Sequence, residues 1–175
     1  MNNIEEICEK YNIRNYTINE DGSIDVDGDV NLYSRGLTEL PLKFNKVTSD
    51  FNCSDNKLKS LKGSPKIVFG TFRCTGCGLT SLEYSPEYIG VDFLCGYNNI
   101  KDLYGISDNI GYYFHCHHNP IESIFERVNI DFIRAFNGYR VIKDDKVVLK
   151  RLKYVMETFD MDYDLEKIKK EYEII

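Results

Sequence analysis

The chain holds no tryptophan, only three histidines and three methionines, and no run of about 18 apolar residues of the kind that crosses a bilayer. The missing run predicts that nothing here spans a membrane. Basic residues are also in deficit, with 22 Lys+Arg against 28 Asp+Glu and a net charge of −6. Nucleic-acid backbones are bound by Lys- and Arg-rich surfaces, so no nucleic-acid partner is expected. The deficit is local. Residues 1–124 carry 11 Lys+Arg and 17 Asp+Glu, whereas residues 125–175 carry 11 of each. The opening MNNIEEICEKYNI has neither a basic n-region nor a continuous apolar h-region, which predicts no secretory leader and a cytoplasmic location. The six cysteines are then expected as free thiols.

Catalytic signatures are missing as well. There is no G-x-x-x-x-G-K-[ST], no G-x-S-x-G and no H-E-x-x-H. DGSIDVDGDV fails as a calcium loop, because its glycines fall wrongly and no glutamate stands at the twelfth place. These absences predict a protein that is not an enzyme and needs no cofactor.

What is present begins with composition. Apolar residues make up 42% of 175 and charged residues 29%, enough to bury a core and stay soluble as one domain with a distinct end piece. Two stretches invite a metal or redox interpretation: RCTGC, with Cys74 and Cys77, and FHCHHNP, with His115, Cys116, His117 and His118. A 21-residue period explains most of the first. Cys53, Cys74, Cys95 and Cys116 keep that spacing, with Leu32 one step earlier. So do Phe51, Phe72, Phe93 and Phe114, preceded by Val30. Further columns run Leu37, Leu58, Leu79, Ile100, Ile121; Leu40, Leu61, Leu82, Leu103, Ile124; and Val47, Val68, Ile89, Ile110, with prolines at Pro65 and Pro86.

The unit V-x-x-x-F-x-C-x-x-N-x-L-x-x-L-x-x-x-P resembles a leucine-rich repeat, of the short form found in bacteria and their phages, over residues 28–124. FNCSDNKLKSL matches that consensus from its fourth position, while Thr48, Phe69, Gly90 and Gly111 occupy the place of the first leucine. The physical basis is independent of the resemblance. F-x-C alternates with period two, so Phe and Cys share the inner side of a short strand and L-x-x-L turns the chain back. One coil cannot bury its apolar side alone, whereas stacked coils share a core. The expected fold is an α+β repeat solenoid, a leucine-rich-repeat-like stack of about five 21-residue coils with one parallel sheet face. Residues 1–27 are expected to form a helix and hairpin cap, with strands around Tyr16/Ile18 and Ile24/Val26 turning at Asp21-Gly22. Residues 125–175 are expected to be a mainly helical cap or partner-binding module: a helix up to Gly138, a short strand in YRVI, a helix holding Val147, Leu149, Leu152, Val155 and Met156, and a last helix in DYDLEKIKKEYEII.

In this register Cys74 belongs to the inward column. Cys77 stands in the column of Asn56, Asn98 and Asn119, where a side chain pairs backbone groups at the strand ends. Cys53, Cys74, Cys95, Cys116, Asn56, Cys77, Asn98 and Asn119 thus form a structural ladder. His115 and His117 flank inward Cys116 and point outward, two ligands where a zinc site needs about four, so no metal is expected. Cys116, being inward, is predicted to be inert as a nucleophile.

Function should sit on the variable outward positions, three to a coil beside the inward strand residues: Asp29, Asn31 and Tyr33; Asp50, Asn52 and Ser54; Thr71, Arg73 and Thr75; Asp92, Leu94 and Gly96; Tyr113, His115 and His117. The candidates are Asp50, Asn52, Arg73, Thr75, Asp92, Leu94, Tyr97, Tyr113, His115 and His117, acidic and polar at one end and aromatic at the other. The pattern predicts a non-catalytic module that binds a protein partner by this face or by the C-terminal helices, and the resemblance implies a phage or bacterial factor acting on a host or defence protein. Two other classes stand beside it: a metal-dependent or thiol enzyme at His115/His117, and a self-assembling structural protein.

Overall fold

The computed structural model describes residues 4–101, 103–107 and 109–120, and beyond them 142–143, 146–147, 149–150, 153, 165–171 and 173–175. It opens with helix α1 (Ile4–Lys10), whose Glu5 and Glu6 lie in the first turn and Lys10 in the last, each at the end the helix dipole favours. Its one fully buried side chain is Cys8. Eleven strands follow: β1 (Tyr16–Ile18), β2 (Ile24–Val26), β3 (Val30–Asn31), β4 (Phe44–Val47), β5 (Phe51–Asn52), β6 (Ile67–Val68), β7 (Phe72–Arg73), β8 (Tyr88–Ile89), β9 (Phe93–Leu94), β10 (Asn109–Ile110) and β11 (Phe114–His115).

These strands wind into a β-solenoid of about four turns with parallel sheets. The expected sheet is there, with β3, β5, β7, β9 and β11 side by side and Val30, Phe51, Phe72, Phe93 and Phe114 aligned across it. The expectation of a single sheet face needs correcting. The column Val47, Val68, Ile89, Ile110 builds a second sheet, in the order β1-β2-β4-β6-β8-β10. Most of its coil strands are two residues long with one inward side chain, too short to show a period of two in sequence. The hairpin is as expected, antiparallel with Tyr16 opposite Val26 and Ile18 opposite Ile24, and Gly22 takes the left-handed conformation of its turn. It is also continuous with the solenoid, because β2 pairs parallel with β4.

The core is the set of inward columns. Phe51, Phe72 and Phe93 are fully buried and Phe114 nearly so, with successive ring centroids 5.4–5.5 Å apart. Phe44 closes the front of that row edge-on at 5.1 Å. Cys53, Cys74, Cys95 and Cys116 lie beside them as buried free thiols, acting as small apolar side chains. Leu58, Leu79 and Ile100, with Leu61, Leu82 and Leu103, fill the turn side. Ile121 and Ile124, which would complete the fifth coil, lie outside the described residues, as does the expected helix up to Gly138.

Where each strand of the five-stranded sheet ends, the asparagine column pairs the buried backbone. Asn98 Oδ1 accepts the N–H groups of Cys77 (2.9 Å) and Leu79 (3.1 Å) one coil back, and its Nδ2 donates to the carbonyls of Cys74 and Cys95 (both 2.9 Å). Asn56 does the same for Arg35, Leu37, Leu32 and Cys53, and Asn119 bonds Ile100, Cys95 and Cys116. Cys77 keeps only the donor half of this pattern, its Sγ lying 3.1 Å from the Cys53 carbonyl. The CxxC is thus one core thiol and one ladder member.

Beyond the solenoid, β12 (Ile142–Lys143) pairs antiparallel with β13 (Lys146–Val147). Val147, expected in a helix, is therefore in a strand. β-branched residues favour strand backbone, and residues 149 and 150 are helical. Helix α2 (Leu165–Glu171) falls in the segment expected to be the last helix.

Two substitutions test the ladder. Asn98→Ala leaves several buried backbone groups unpaired and is expected to cost about 3 kcal/mol or more of unfolding free energy, at about 1–3 kcal/mol per orphaned group. Cys77→Asn restores the acceptor half and is expected to raise the denaturation midpoint, with a gain of about 1 kcal/mol. Urea titrations of both variants measure these shifts, and a destabilised Cys77→Asn would contradict the ladder role.

Candidate functional site

The outward side of the five-stranded sheet carries the candidate residues in three rows, and they divide by chemistry. The polar ones are tied to neighbouring coils. Asp29 Oδ1 accepts the Asp50 N–H (3.0 Å), Asp50 Oδ1 accepts the Thr71 N–H (2.8 Å), and Asp92 Oδ1 accepts the Tyr113 N–H (3.1 Å). This aspartate column is a second ladder, on the outer surface. The Ser49 hydroxyl and the Asp50 N–H hold the Asp29 carboxyl below the usual carboxylate range. The second oxygen of Asp50 pairs with Arg73 Nη1 at 2.6 Å. Both partners keep more than a third of their side chains in water, so the pair adds little stability but fixes where the guanidinium lies. Asn52 Oδ1 accepts the Ser54 N–H (3.0 Å), and the Thr75 N–H donates to Ser54 Oγ (3.1 Å). Ser54 and Thr71 are themselves buried, contrary to an outward placement for every residue of the three rows, because these hydrogen bonds draw them against the neighbouring coil.

The other end of the face is an aromatic cluster. Tyr97 and Tyr113 are 58% and 43% exposed. Tyr97 lies against His118, ring centroids 4.4 Å apart, and edge-on to His117 at 5.1 Å. Tyr113 and His115 are 5.7 Å apart, and His115 and His117 6.5 Å. Leu94 lies beside His115 across β9 and β11. A side chain at Gly96 would come within 2.9 Å of the His117 ring, so the glycine makes room for that imidazole. The structure therefore brings together Leu94, Tyr97, Tyr113, His115 and His117, and adds His118. It holds Asp50, Asn52, Arg73 and Thr75 as a separate polar half.

One feature of this cluster is invisible in residue types. Ser34, Asp55, Gly76, Tyr97 and His118 form a further 21-residue column, and all have positive φ, between 52° and 65°. Each coil needs a left-handed residue just before its ladder position. Gly76 meets that need without strain, whereas a bulky side chain there costs of order 1 kcal/mol or more.

Burial pushes the Cys74 and Cys95 thiols well up and Cys116 up to about 12, which disfavours the nucleophilic thiolate. Among the described residues, no group of three or more His, Cys, Asp or Glu side chains is arranged to hold a metal ion, and no helix is long and apolar enough to cross a membrane.

The second sheet carries exposed aromatics that a one-sheet reading passes over. Phe69 and Tyr88 meet edge-on at 5.9 Å, and Tyr112 is exposed nearby in sequence. Phe69 replaces the threonine and glycines of its column, and that departure from the repeat was the available signal. No family model, curated protein or solved structure matches this chain.

His117 makes the cluster sensitive to acid. Partial burial, then His118 and His115, lower its pKa below the ordinary histidine value of 6.5. The unfolded chain therefore binds this proton first as pH falls. Stability is full above about pH 6.5 and declines as pH drops through the lowered value. Melting temperatures between pH 7.5 and 5 should fall, and His117→Gln should flatten that slope, which thermal denaturation across a buffer series measures.

Proposed function

We propose that this chain is a non-catalytic interaction module that holds a protein partner on the outward face of its five-stranded sheet, assisted by its C-terminal helices. In finer terms its coils are short leucine-rich-repeat-like units of the bacterial or phage type, an α+β variant whose first helix and hairpin cover one end and whose C-terminal segment covers the other. In that reading it works in the cytoplasm, on a host or defence protein.

The observation that carries the proposal is the strained pair Tyr97 and His118. Both rings sit on left-handed backbone that glycine occupies more cheaply one coil and two coils earlier, respectively, at Gly76. Neither is part of the buried core. A framework role would favour glycine or asparagine there, whereas exposed aromatic rings beside mixed polar groups suit partner recognition. The neighbouring Arg73, positioned by Asp50, supplies a charged donor on the same face.

The test separates binding from folding. Lysate of the native host is passed over immobilised protein, and retained proteins are identified by mass spectrometry. A partner held by the wild type should be retained at least tenfold less by the combined Arg73→Ala, Leu94→Ala, Tyr113→Ala and His115→Ala variant, with its melting temperature nearly unchanged. Tyr97→Gly should raise the melting temperature by about 2–4 °C, the equivalent of about 1 kcal/mol in a chain of this size, and still weaken retention. If every variant retains the partner fully, the face is the wrong surface.

A further inference from the structure

A second concave surface lies on the turn side of the solenoid. It is a groove of about 900 Å³ running along the first three coils, within the size range of ligand sites. It is lined by Leu40, Leu42 and Phe44, which belong to the core. Its walls carry Lys43, Lys59, Lys62 and Lys66 against Glu39 and Glu87, a local excess of positive charge on a chain of net charge −6. Lys43 is engaged by Asp21 at 2.7 Å. Lys59, Lys62 and Lys66 are exposed and make no ion pair with a described residue.

An independent feature marks the same groove. Gly63, Tyr84 and Gly105 share one position of successive coils, and all three have positive φ, of 93°, 68° and 82°. Glycine is the residue such backbone prefers, and at Gly63 an added Cβ would lie 2.9 Å from the Leu42 carbonyl oxygen. Tyr84 takes the strained position, is 53% exposed and lines the groove. Its carbonyl accepts the Ser64 hydroxyl, so the backbone beneath the ring is anchored.

We propose that this groove is a second binding site, for an extended acidic segment of a protein partner, with carboxylates on Lys59, Lys62 and Lys66 and an apolar side chain against Tyr84, Leu40 and Leu42. Charge complementarity selects an acid, and the apolar lining with an exposed ring selects a peptide over a simple anion. A phosphate site would call for convergent backbone N–H groups or an arginine fork, and the groove has no arginine. The site is separate from the sheet face, so either can fail without the other.

The probe is a fluorescein-labelled twelve-residue peptide alternating glutamate and leucine, titrated by fluorescence anisotropy against the full chain. Saturable binding is expected, weakened at least tenfold by Lys59→Glu, Lys62→Glu and Lys66→Glu together. Arg14→Glu, Arg35→Glu and Lys57→Glu together change the net charge equally outside the groove and should weaken it less than threefold. Tyr84→Gly should weaken binding about fivefold while raising the melting temperature, which a purely structural tyrosine would not do. Leu94→Ala with His115→Ala should leave peptide binding intact. The proposal is overturned if binding does not saturate, if the two charge-reversal triples weaken it equally, if the sheet-face variant abolishes it, or if inorganic tripolyphosphate displaces the peptide at equal concentration, which would mark a small-anion site.

Discussion

Everything in this molecule depends on hydrogen bonds between one coil and the next, at a fixed offset of about 21 residues. Strands of two residues have no stability alone, and one coil leaves its backbone N–H and C=O groups without partners. Stacking supplies them: the N–H groups of Val30, Phe51, Phe72 and Phe93 donate to the carbonyls of Asp50, Thr71, Asp92 and Tyr113 at 2.8–3.0 Å. The same offset brings Phe onto Phe and Cys beside Cys, so backbone pairing and apolar burial are satisfied by one geometry. Two side-chain ladders extend this bonding past the strands, asparagine on the inner side and aspartate on the outer.

That constraint sorts residues into framework and free positions. The cysteines fall in the framework. Cys53, Cys74, Cys95 and Cys116 are sealed from water and pushed toward the protonated thiol, whereas the hydrogen bond to Cys53 lowers the Cys77 thiol, so the two cysteines of RCTGC belong to two different columns with different surroundings. The free positions are not equally free, because Asp50 and Asp92 use carboxylate oxygens to bind the next coil as well as to face water. Where the chain spends conformational energy is more informative. Tyr97, His118 and Tyr84 each occupy backbone that glycine would occupy with less strain, and each presents a ring to solvent. Two of them mark the sheet face and one marks the groove.

Much of the fold was legible because the repeat is nearly exact. The inward columns, the roles of Cys74 and Cys77, the first hairpin and the outward direction of His115 and His117 all follow from spacing. The second sheet was not legible, since one inward valine or isoleucine per coil looks the same in a turn as in a strand. Val147 was misplaced for a related reason: a β-branched residue next to a helical pattern is assigned by its strand partner, Ile142, more than by its neighbours. In the site, Ser54 and Thr71 looked outward by alternation, yet hydrogen bonding to the adjacent coil buries them.

The amino-acid order by itself determined that the chain winds, with what period, and which side chains face inward, because a repeated apolar pattern has few ways to bury itself. Only the tertiary structure decided that each turn has two strands, that left-handed residues recur before every ladder position, and that lysines from separate coils border one groove. Those features depend on φ, ψ and distances between coils, which residue type constrains weakly and which stacking alone sets.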